Sequence, residues 1–593
     1  MAWTAKNSLN YMKPADIFLA QGLVWTGLLN GHDPKTGKIV RTLEQKMQGP
    51  MSHDRCYRNR ITEQYLINSK TGGSDFVRLD GEGEFPSPWV RATCGLGVLP
   101  ANGLLYSSPY SCTCVSGTML TSFNALYEEG RSAGKTVDLS PRTRLVKGPA
   151  FGAVGEDKAK PTRDDWPTYR NTNARSGVTG SAYEGKLEPA WQAKLPSAPT
   201  APIIVGDRVF LAAKDTHTLY ALSRASGKIA WSFVADGRID SPPTYYQGLL
   251  LFGCRGGWVY ALRARDGALA WKFSDLPEKR LISARGQLES AWPVSGSVMV
   301  HEGVAYFAAG RQTFIDGGIV LYGLHPLTGE VLHRRQVSGP YDQQGFSRVR
   351  RLAGIPQIEG FKSGVFSAEG GLLYIRHQAF RPDLTPVAME EVKEAHLIAS
   401  PGFLDDTPQH RTYWSIDTDL RYGPPTGFNS PGPQGDIVAV DGDVFYEIRG
   451  YHPGRHGHLR PGGGFTLYSG TRSATAWRPP RTGKPIQLRT MVPLSRNWEQ
   501  RWATQIPLSG HALIVAGETV VAAGVPMEAS FGNTELSSSF AGEKGGRIWA
   551  ARKQDGEKIA SRDLPSPPVW DGLAVARGDC IIALKDGTVL CLR

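Results

Sequence analysis

The sequence predicts an all-β protein whose main part is a β-propeller of about seven or eight four-stranded blades. Three observations predict this fold. Tryptophans recur every forty residues, at Trp191, Trp231 and Trp271, each within a β-like stretch. A glycine follows a strand-like segment and precedes two of these tryptophans, at Gly227 and Gly267. The 69 glycines and 41 prolines lack a triplet period, which suits many short strands joined by tight turns.

The same unit of strand, glycine turn and strand recurs elsewhere in the chain, at Gly37, Gly329 and Gly556. At each position we expect a turn whose central residue has a positive φ, which glycine adopts without steric cost. The repeated tryptophans and the glycines at 227 and 267 are therefore predicted to be structural. Each tryptophan should pack against the neighbouring blade.

The two ends of the repeat region predict how the ring closes. Residues 586–592 have the pattern of a third blade strand, and no fourth strand follows them. Residues 190–195 have fourth-strand character but no blade of their own before them. Pairing the two segments would close the ring and remove both open sheet edges. We therefore expect one propeller over 187–593, closed by an N-terminal strand.

The upstream residues divide into two further parts. Residues 151–186 are predicted to be a polar linker, and residues 1–150 a smaller N-terminal β unit with a partial propeller-like character and a cysteine cluster. Two blades cannot close a ring. This unit is therefore expected either to pack on the main propeller or to depend on residues upstream of the given chain.

Charge and hydropathy limit the classes of partner. The formal net charge of +12 favours anionic partners through long-range steering, although a solvated basic surface gives the same number. No zinc-finger spacing or basic amphipathic helix is present, which argues against nucleic acid. No apolar run approaches the roughly 20 residues that span a bilayer, so no membrane span is expected. The first residues lack the apolar core of a signal peptide.

Several motifs resemble a known family. Residues 221–231 and 261–271 resemble the tryptophan-docking repeat of the PQQ-like (pyrroloquinoline-quinone-like) β-propeller proteins, which include quinoprotein dehydrogenases and the assembly lipoprotein BamB. Residues 165–170 resemble the segment that opens many BamB-like propellers. Residues 56–59 and 402–406 resemble an uncharacterised branch found in Planctomycetes-type proteomes.

The resemblance implies a cellular location, and it also allows the presence of a PQQ cofactor to be tested against the sequence. Members of the branch are usually exported to the periplasm or cell envelope, so we expect that location and interpret the missing signal peptide as truncation or a misassigned start. The PQQ dehydrogenases carry adjacent cysteines over their cofactor, and this chain has no such pair. We therefore expect no bound PQQ, and the cofactor is otherwise unknown.

Four cysteines and a histidine fall close together in the N-terminal unit. They are His53, Cys56, Cys94, Cys112 and Cys114. Thiolate and imidazole ligands suit zinc or copper, so a metal site is one interpretation. One or two disulfides, buried free thiols and redox catalysis are the others, because Cys-x-Cys is not the usual zinc knuckle spacing. The remaining cysteines, Cys254, Cys580 and Cys591, fall in blade strands and are expected in the core.

A second candidate site lies in the less regular part of the propeller. Asp405, Asp406, His410 and Arg411 could perform acid–base catalysis or bind a cation, and Trp414 could stack on a ligand. The alternative is a connecting loop in which the aspartates cap turns and Trp414 packs between blades.

A third set flanks a predicted innermost strand. Glu289, Trp292, Arg311 and Asp316 are expected near the central channel, where propellers commonly bind ligands. Polar residues at strand ends are also ordinary turn formers, so a structural role is the alternative.

Together these observations predict an extracytoplasmic scaffold that binds a ligand or partner, with an anionic glycan or an envelope protein as the expected partner. One alternative is an enzyme acting on anionic polysaccharide or another envelope substrate. A second alternative is a quinone- or metal-dependent oxidoreductase. Fold alone does not choose among these functions.

Overall fold

The computed structural model describes most of the chain. The described residues are 3–5, 7, 15–27, 29–46, 57–93, 95–109, 120, 122–127, 139–153, 160–276, 280–339, 349–352, 355–358, 360–376, 378–388, 391–392, 394–399, 414–417, 434–450, 464–472 and 498–593.

The N-terminal unit consists of three antiparallel sheets. The first contains β1 (Ile17–Ala20), β2 (Leu23–Thr26), β3 (Asn30–His32) and β4 (Ile39–Thr42). The second contains β5 (Arg60–Ile61), β6 (Tyr65–Asn68), β7 (Ser74–Arg78) and β8 (Glu84–Ser87). The third contains β9 (Leu99–Ala101), β10 (Leu104–Ser107) and β11 (Asn124–Tyr127). Buried Trp25 and Leu66 belong to one hydrophobic cluster, so the first two sheets share a core.

The rest of the described chain forms eight blades, numbered here in chain order, and two separate two-stranded hairpins. Three strands precede the first blade: β12 (Arg144–Lys147), β13 (Val178–Thr179) and β14 (Pro189–Lys194). Blade 1 contains β15 (Ile203–Val205), β16 (Arg208–Ala213), β17 (Thr218–Ser223) and β18 (Ile229–Val234). Blade 2 contains β19 (Thr244–Tyr246), β20 (Leu249–Gly253), β21 (Val259–Arg263) and β22 (Leu269–Ser274). A hairpin of β23 (Leu281–Ala284) and β24 (Gln287–Ser290) follows.

Blades 3 to 5 continue the series. Blade 3 contains β25 (Met299–His301), β26 (Val304–Ala309), β27 (Ile319–Leu324) and β28 (Val331–Val337), and a hairpin of β29 (Val349–Leu352) and β30 (Ile355–Ile358) follows. Blade 4 contains β31 (Phe366–Glu369), β32 (Leu372–Ile375), β33 (Gln378–Phe380) and β34 (Pro386–Val387). Blade 5 contains three described strands, β35 (His396–Ala399), β36 (Trp414–Asp417) and β37 (Gln434–Gly435).

Blades 6 to 8 complete the series of blades. Blade 6 contains β38 (Ile437–Asp441), β39 (Val444–Arg449), β40 (Phe465–Arg472) and β41 (Trp498–Ile506). Blade 7 contains β42 (Ala512–Ala516), β43 (Thr519–Gly524), the helix α1 (Asn533–Phe540), β44 (Gly546–Arg552) and β45 (Lys558–Leu564). Blade 8 contains β46 (Pro568–Ala576), β47 (Asp579–Leu584) and β48 (Thr588–Leu592).

The eight sheets close into a ring, as the sequence predicts. Strand β14 pairs antiparallel with β48, with Trp191 opposite Cys591 and Lys194 opposite Thr588. It therefore supplies the fourth strand of blade 8. The innermost strands also meet across this seam, because β46 of blade 8 contacts β15 of blade 1. The β-propeller with an N-terminal closing strand is thus confirmed, and the described residues form eight blades.

Burial explains the strand sequences. The second strand of a blade is covered on both faces by neighbouring blades, and β20, β43 and β47 are accordingly wholly buried, with apolar or small side chains apart from Asp579 at the start of β47. The outermost strands alternate instead, as in β18, where exposed and half-buried side chains alternate from Ala230 to Val234. The three cysteines of the blade strands are buried free thiols, as predicted; they are Cys254, Cys580 and Cys591.

The two ends of the ring are distinct surfaces. One end of the ring carries the turns between second and third strands and the connections from one blade to the next. We call this end the upper face. The lower face carries the turns between first and second strands and between third and fourth strands. Antiparallel pairing throughout each blade places these two sets of turns at opposite ends.

The repeated tryptophans lie at the blade junctions near the lower face. Trp191 donates its Nε1–H to the carbonyl of Arg224 at 2.7 Å, and its ring lies where a Cβ at Gly227 would stand. Trp231 donates to the carbonyl of Ala264 at 3.0 Å and covers Gly267 in the same way. Trp271 and Trp502 make the equivalent bonds to Pro326 and Lys553, at 3.1 Å each.

A segment formed by residues 166–179, which we call the channel segment, lies inside the ring. Trp166 bridges to Ile204 of blade 1, and strand β13 runs parallel to β42 of blade 7. The Asp165 carboxylate, just before the segment, accepts from the Gly206 amide at 3.0 Å in a lower-face turn. The segment therefore enters the channel from the lower face. It belongs to the residues that the sequence predicts to be a linker.

The N-terminal unit packs on the propeller, which was one of the two expectations for it. Strand β12 pairs antiparallel with β22 and adds a fifth strand to blade 2. The ring of Trp89 stacks on Phe314 at a centroid distance of 6.3 Å. Phe314 lies between the second and third strands of blade 3, so this contact is on the upper face.

Candidate binding face and channel

Four residues predicted near the channel come together on the upper face. Arg311 donates to the buried carboxylate of Glu289, and also to the carbonyl of Ser290 at 3.2 Å. Trp292 donates its Nε1–H to the carbonyl of Asp316 at 2.7 Å. Burial raises the pKa of Asp316, an effect that nearby Arg280 and Arg311 oppose.

Glu289 is surrounded by arginines. Besides Arg311, the guanidinium of Arg255 lies 3.9 Å from its carboxylate and that of Arg285 lies 3.8 Å away. The Glu289 side chain is only 3% exposed, so these charges interact in a poorly screened environment. Arg255 is further held by Asp240 at 2.6 Å. Three guanidinium groups therefore lie beside two buried carboxylates, those of Glu289 and Asp240.

Basic residues recur at the equivalent place in other blades. In six of the eight blades a lysine or arginine stands at the end of the second strand or within two residues after it. We call this set the cation ring, and its members are Lys214, Arg255, Arg311, Arg376, Arg449 and Lys585. All six lie on the upper face, because that is where the second strands end.

Contacts place four members of the cation ring beside the connections between blades. The amide of Lys214 donates to Ala198, and that of Lys585 donates to Pro567, both in connections that lead into an innermost strand. The amide of Ser363, in another such connection, donates to the carbonyl of Arg311 at 2.8 Å. The aliphatic stem of Arg376 lies beside Gly364 in that connection.

Burial shifts the pKa of two groups at blades 6 and 7. Asp436 immediately precedes the innermost strand of blade 6, and burial raises its pKa to about 8. The backbone amide of Gly510 donates a hydrogen bond to this carboxyl. The residue after Gly510 is His511, whose pKa burial lowers to about 3, with a further lowering from Lys585. At neutral pH the Asp436 carboxyl is therefore mostly protonated, and the His511 imidazole is neutral.

The surroundings of His511 fix its position. Its ring packs against Trp570 at a centroid distance of 4.3 Å with the two ring planes tilted by 37°, and its Nδ1 lies 3.3 Å from the Ser509 hydroxyl. The carbonyl of His511 accepts from the amide of Asp571 at 2.8 Å. Sequence reasoning did not select Asp436 or His511, because nothing local marks either residue.

The channel segment forms buried polar contacts with the inner strands of the ring. Arg170 forms an ion pair with Asp571 and donates to the carbonyl of Val438. The Tyr169 hydroxyl donates to Asp571 at 2.5 Å. Arg175 donates to the carbonyl of Phe366 at 2.8 Å. These bonds reach blades 4, 6 and 8.

Other contacts of the channel segment reach the remaining blades. The carbonyl of Pro167 accepts from Tyr245 of blade 2 at 2.8 Å. Asn173 donates to Val300 of blade 3 at 2.8 Å. The Arg170 guanidinium lies 4.4 Å from the ring centroid of Trp414 in blade 5. With Trp166 on blade 1 and β13 on blade 7, the channel segment touches every blade.

Trp414 is the one member of the second predicted site that the structure describes. It is buried beneath Arg170, which agrees with a packing role, and its use in ligand binding stays a prediction. Asp405, Asp406, His410 and Arg411 lie outside the described residues.

The predicted metal or disulfide cluster also lies outside the described residues, at His53, Cys56, Cys94, Cys112 and Cys114. Within the ranges that the structure does describe, no three His, Cys, Asp or Glu side chains are grouped as metal ligands. The same ranges contain no helix with the length and hydropathy needed to cross a membrane.

Comparison with known proteins gives matches in one group. A family model described as outer membrane protein assembly factor BamB matches residues 181–389. The outer membrane protein assembly factor BamB of Moranella endobia (strain PCIT) is 31% identical over 106 residues, which are 18% of this chain and 26% of that protein. The dehydrogenase subunit of the quinone alcohol dehydrogenase of Komagataeibacter europaeus is 24% identical over 190 residues, covering 28% of this chain and 25% of that protein.

One of the solved structures that this chain matches is the quinohemoprotein alcohol dehydrogenase ADHIIG from Pseudomonas putida HK5. It is 13% identical, covers 76% of this chain and 82% of its own, and has a TM-score of 0.43. The chain thus aligns with about a quarter of the length of each curated relative named above.

Proposed function

Because the chain belongs to the PQQ-like β-propeller repeat family, we propose that it acts outside the cytoplasm as a scaffold that binds a partner or ligand on its upper face. The name of one relative, an outer membrane assembly factor, supports an envelope location and an envelope protein as partner. We retain the division into 1–150, 151–186 and 187–593, and the narrower resemblance to a Planctomycetes-type branch, as parts of this proposal.

The arrangement of charge on the upper face carries the proposal. The cation ring and the arginines around Glu289 lie on this face, and the channel segment lies inside the ring. Clustered arginines with fixed geometry recognise carboxylate and phosphate groups well. The Trp89 contact with Phe314 also brings the N-terminal unit to this face.

The first prediction concerns which face meets a partner. A photo-crosslinking residue at exposed Thr216 or Glu543, in upper-face turns of blades 1 and 7, is expected to give protein adducts in cells of the source organism. The matched positions Ser226 and Asp555 lie in lower-face turns of the same blades and are also exposed. These two positions should give few adducts. Gel electrophoresis and mass spectrometry measure the adducts from all four positions. Equal amounts of adduct from both faces, or no adduct from the upper face, would contradict the proposal that a scaffold binds its partner on the upper face.

A second candidate function is an acid–base enzyme, and Asp436 with His511 is the observation that favours it. General acid–base catalysis needs one group that holds a proton and one that accepts it near the operating pH. A carboxyl with a pKa of about 8 satisfies the first requirement at neutral pH. The substrate class predicted for this alternative is an anionic polysaccharide of the envelope.

The second prediction concerns the pH dependence that Asp436 confers. Its pKa is 3.8 in the unfolded chain and about 8 in the fold, so the folded state binds more protons between these values. The contribution to stability is complete below pH 4 and declines as the pH rises toward 8. Asp436→Asn removes this decline. Its unfolding temperature relative to wild type should therefore rise across that range and level off above pH 8.

Calorimetry at several pH values measures this difference. A constant difference between pH 4 and 9 would contradict the raised pKa of Asp436. Product formation from acidic polysaccharide by the wild type, lost in Asp436→Asn, would favour the enzyme over the scaffold. Absence of product from both proteins would favour the scaffold.

A further inference from the structure

We propose that the N-terminal units of two copies of this chain combine into one six-bladed propeller, so that the protein forms a dimer. This goes beyond the proposed function, because the partner is a second copy and the contact belongs to the N-terminal unit. It rests on the position of Trp3, which makes the contacts of a blade-docking tryptophan although none of the described sheets includes it.

Trp3 repeats the junction contacts of the main propeller. It donates its Nε1–H to the carbonyl of Pro34 at 2.9 Å, and its ring lies where a Cβ at Gly37 would stand. The strand β14, which closes blade 8, makes the same two contacts through its tryptophan. Residues 2–6 and 190–194 also share the pattern Ala-Trp-x-Ala-Lys. Trp3 therefore has the place of a docking tryptophan from a blade that precedes the first sheet.

The first sheet of the N-terminal unit is itself built as a blade. Its third and fourth strands have the same register shift as those of blades 1 and 2. The amide of Gly37 donates to the carbonyl of Asp33 at 2.9 Å, which is the turn that follows the third strand of those blades. Arg41 has the register position of the docking tryptophan, and it donates to the carbonyl of Leu79 at 2.7 Å, directly after the third strand of the second sheet. The first two sheets are therefore joined as consecutive blades.

The second sheet is covered on both faces. Leu66 belongs to the hydrophobic cluster that contains Trp25 of the first sheet. Ile67, the next residue of β6, belongs to a different cluster, against which Leu105 of the third sheet packs. The N-terminal unit is thus a series of three packed sheets with two end faces, one on the first sheet and one on the third.

Both end faces are apolar and exposed. On the first sheet, Leu19 is 76% exposed, because it points away from the core against which its neighbour Phe18 packs. On the third sheet, Leu99, Phe123 and Tyr127 are exposed. The third strand of a propeller blade is mostly buried, as β17 is, whereas β11 alternates between half-buried and exposed residues. Exposed apolar faces of this kind indicate contact with another protein.

A second copy of the chain fits both end faces at once. The described part of the third sheet has three strands and ends at β11, while Trp3 has the place of a fourth strand. If the third sheet of one copy packs on the first sheet of the other, β11 gains a fourth strand in the way that β48 gains β14. The new junction continues the series of sheet junctions within each unit.

The exchange between the two copies is reciprocal. Each copy offers its first sheet to the third sheet of the other, so a two-fold axis closes the assembly and leaves neither end face bare. Two copies provide six sheets, which is within the range of four to eight blades found in propellers. Closure also removes the free edge of β11.

The third prediction is that the full-length purified protein is a dimer in analytical ultracentrifugation at several protein concentrations. Leu19→Asp places a charge on an end face and should weaken dimerisation by at least about tenfold, because the charge would be buried at the contact. Leu288→Asp is the matched control, since Leu288 is 68% exposed in the hairpin after blade 2. Both positions are exposed, so the fold of one copy should tolerate either change.

Three results of this measurement would overturn the proposal. They are a wild-type protein that stays monomeric, a dimer that Leu19→Asp leaves intact, and equal dissociation of the dimer by the two variants. None of them bears on the crosslinking of an envelope partner at the upper face, so the two proposals fail separately.

Photo-crosslinking identifies the segments that meet. A photo-crosslinking residue replaces Tyr127, and isotope-labelled and unlabelled copies are mixed in dilute solution and then concentrated so that they exchange. Mass spectrometry should find β11 joined to the segment that carries Trp3 in pairs of one labelled and one unlabelled peptide. Trp3→Ala should largely remove these pairs. Adducts formed only within one copy, or no adduct with that segment, would contradict a propeller shared by two copies.

Discussion

Replacing Arg170 with Met is expected to destabilise the propeller by about 3–5 kcal/mol, the usual cost of removing one partner from a buried ion pair. The Asp571 carboxylate would stay buried with the Tyr169 hydroxyl as a hydrogen-bond donor but without its cation. The Val438 carbonyl would also lose its donor. Denaturant unfolding followed by tryptophan fluorescence measures the loss.

A double variant and a surface control sharpen this test. Arg170→Met/Asp571→Asn removes both charges and should be less destabilised than Arg170→Met, because no uncompensated charge is left. Arg552→Met breaks an exposed pair with Glu557 and should cost no more than about 1 kcal/mol. Arg170→Met within about 1 kcal/mol of wild type would show that the channel segment does not stabilise the ring.

Replacing Gly227 with Ala is expected to have the next largest effect, about 2–5 kcal/mol, because two costs add. The residue has a φ of +69°, where an L side chain costs roughly 1–2 kcal/mol. Its Cβ would also overlap the ring of Trp191, and overpacking costs about 1–3 kcal/mol more. The contact joins blade 8 to blade 1, so the damage falls on the closing seam.

Gly206→Ala is the matched control. Gly206 has a similar φ of +59°, but a Cβ there would meet nothing within 4 Å. The Gly206→Ala variant should therefore be destabilised only by the strain of placing an L residue at a positive φ. The difference in unfolding free energy between the two variants measures the tryptophan docking by itself. Equal losses would mean that Trp191 does not hold the seam.

The repeat architecture was readable because its signals are local. Trp231 and Gly267 recur in fixed sequence relation, and the same hydrogen bond and ring contact recur in the structure. The closing strand was also predictable, since an unpaired third strand at 586–592 requires a partner. Glu289 and Arg311 were selected from their positions beside a predicted innermost strand, and they do meet.

The channel segment and the buried titratable groups of blades 6 and 7 were not predictable in the same way. Residues 166–179 have no strand or helix period, because their order comes from bonds to eight separate blades. The Asp436 carboxyl meets the Gly510 amide only when blades 6 and 7 are side by side. The cation ring had a sequence signal, a basic residue at or just after the end of the second strand in six of the eight blades, but the signal needs the strand ends to be aligned first.

The amino-acid sequence by itself determined the blade repeat, the tryptophan junctions and the strand that closes the ring, because each depends on residues near one another in the chain or on a strand edge that must be paired. Only the tertiary structure decided that a segment resembling a linker lies inside the ring in contact with every blade, and that cations from six separate blades share one face. Those features arise from closure itself, which brings together residues hundreds of positions apart that share no local pattern.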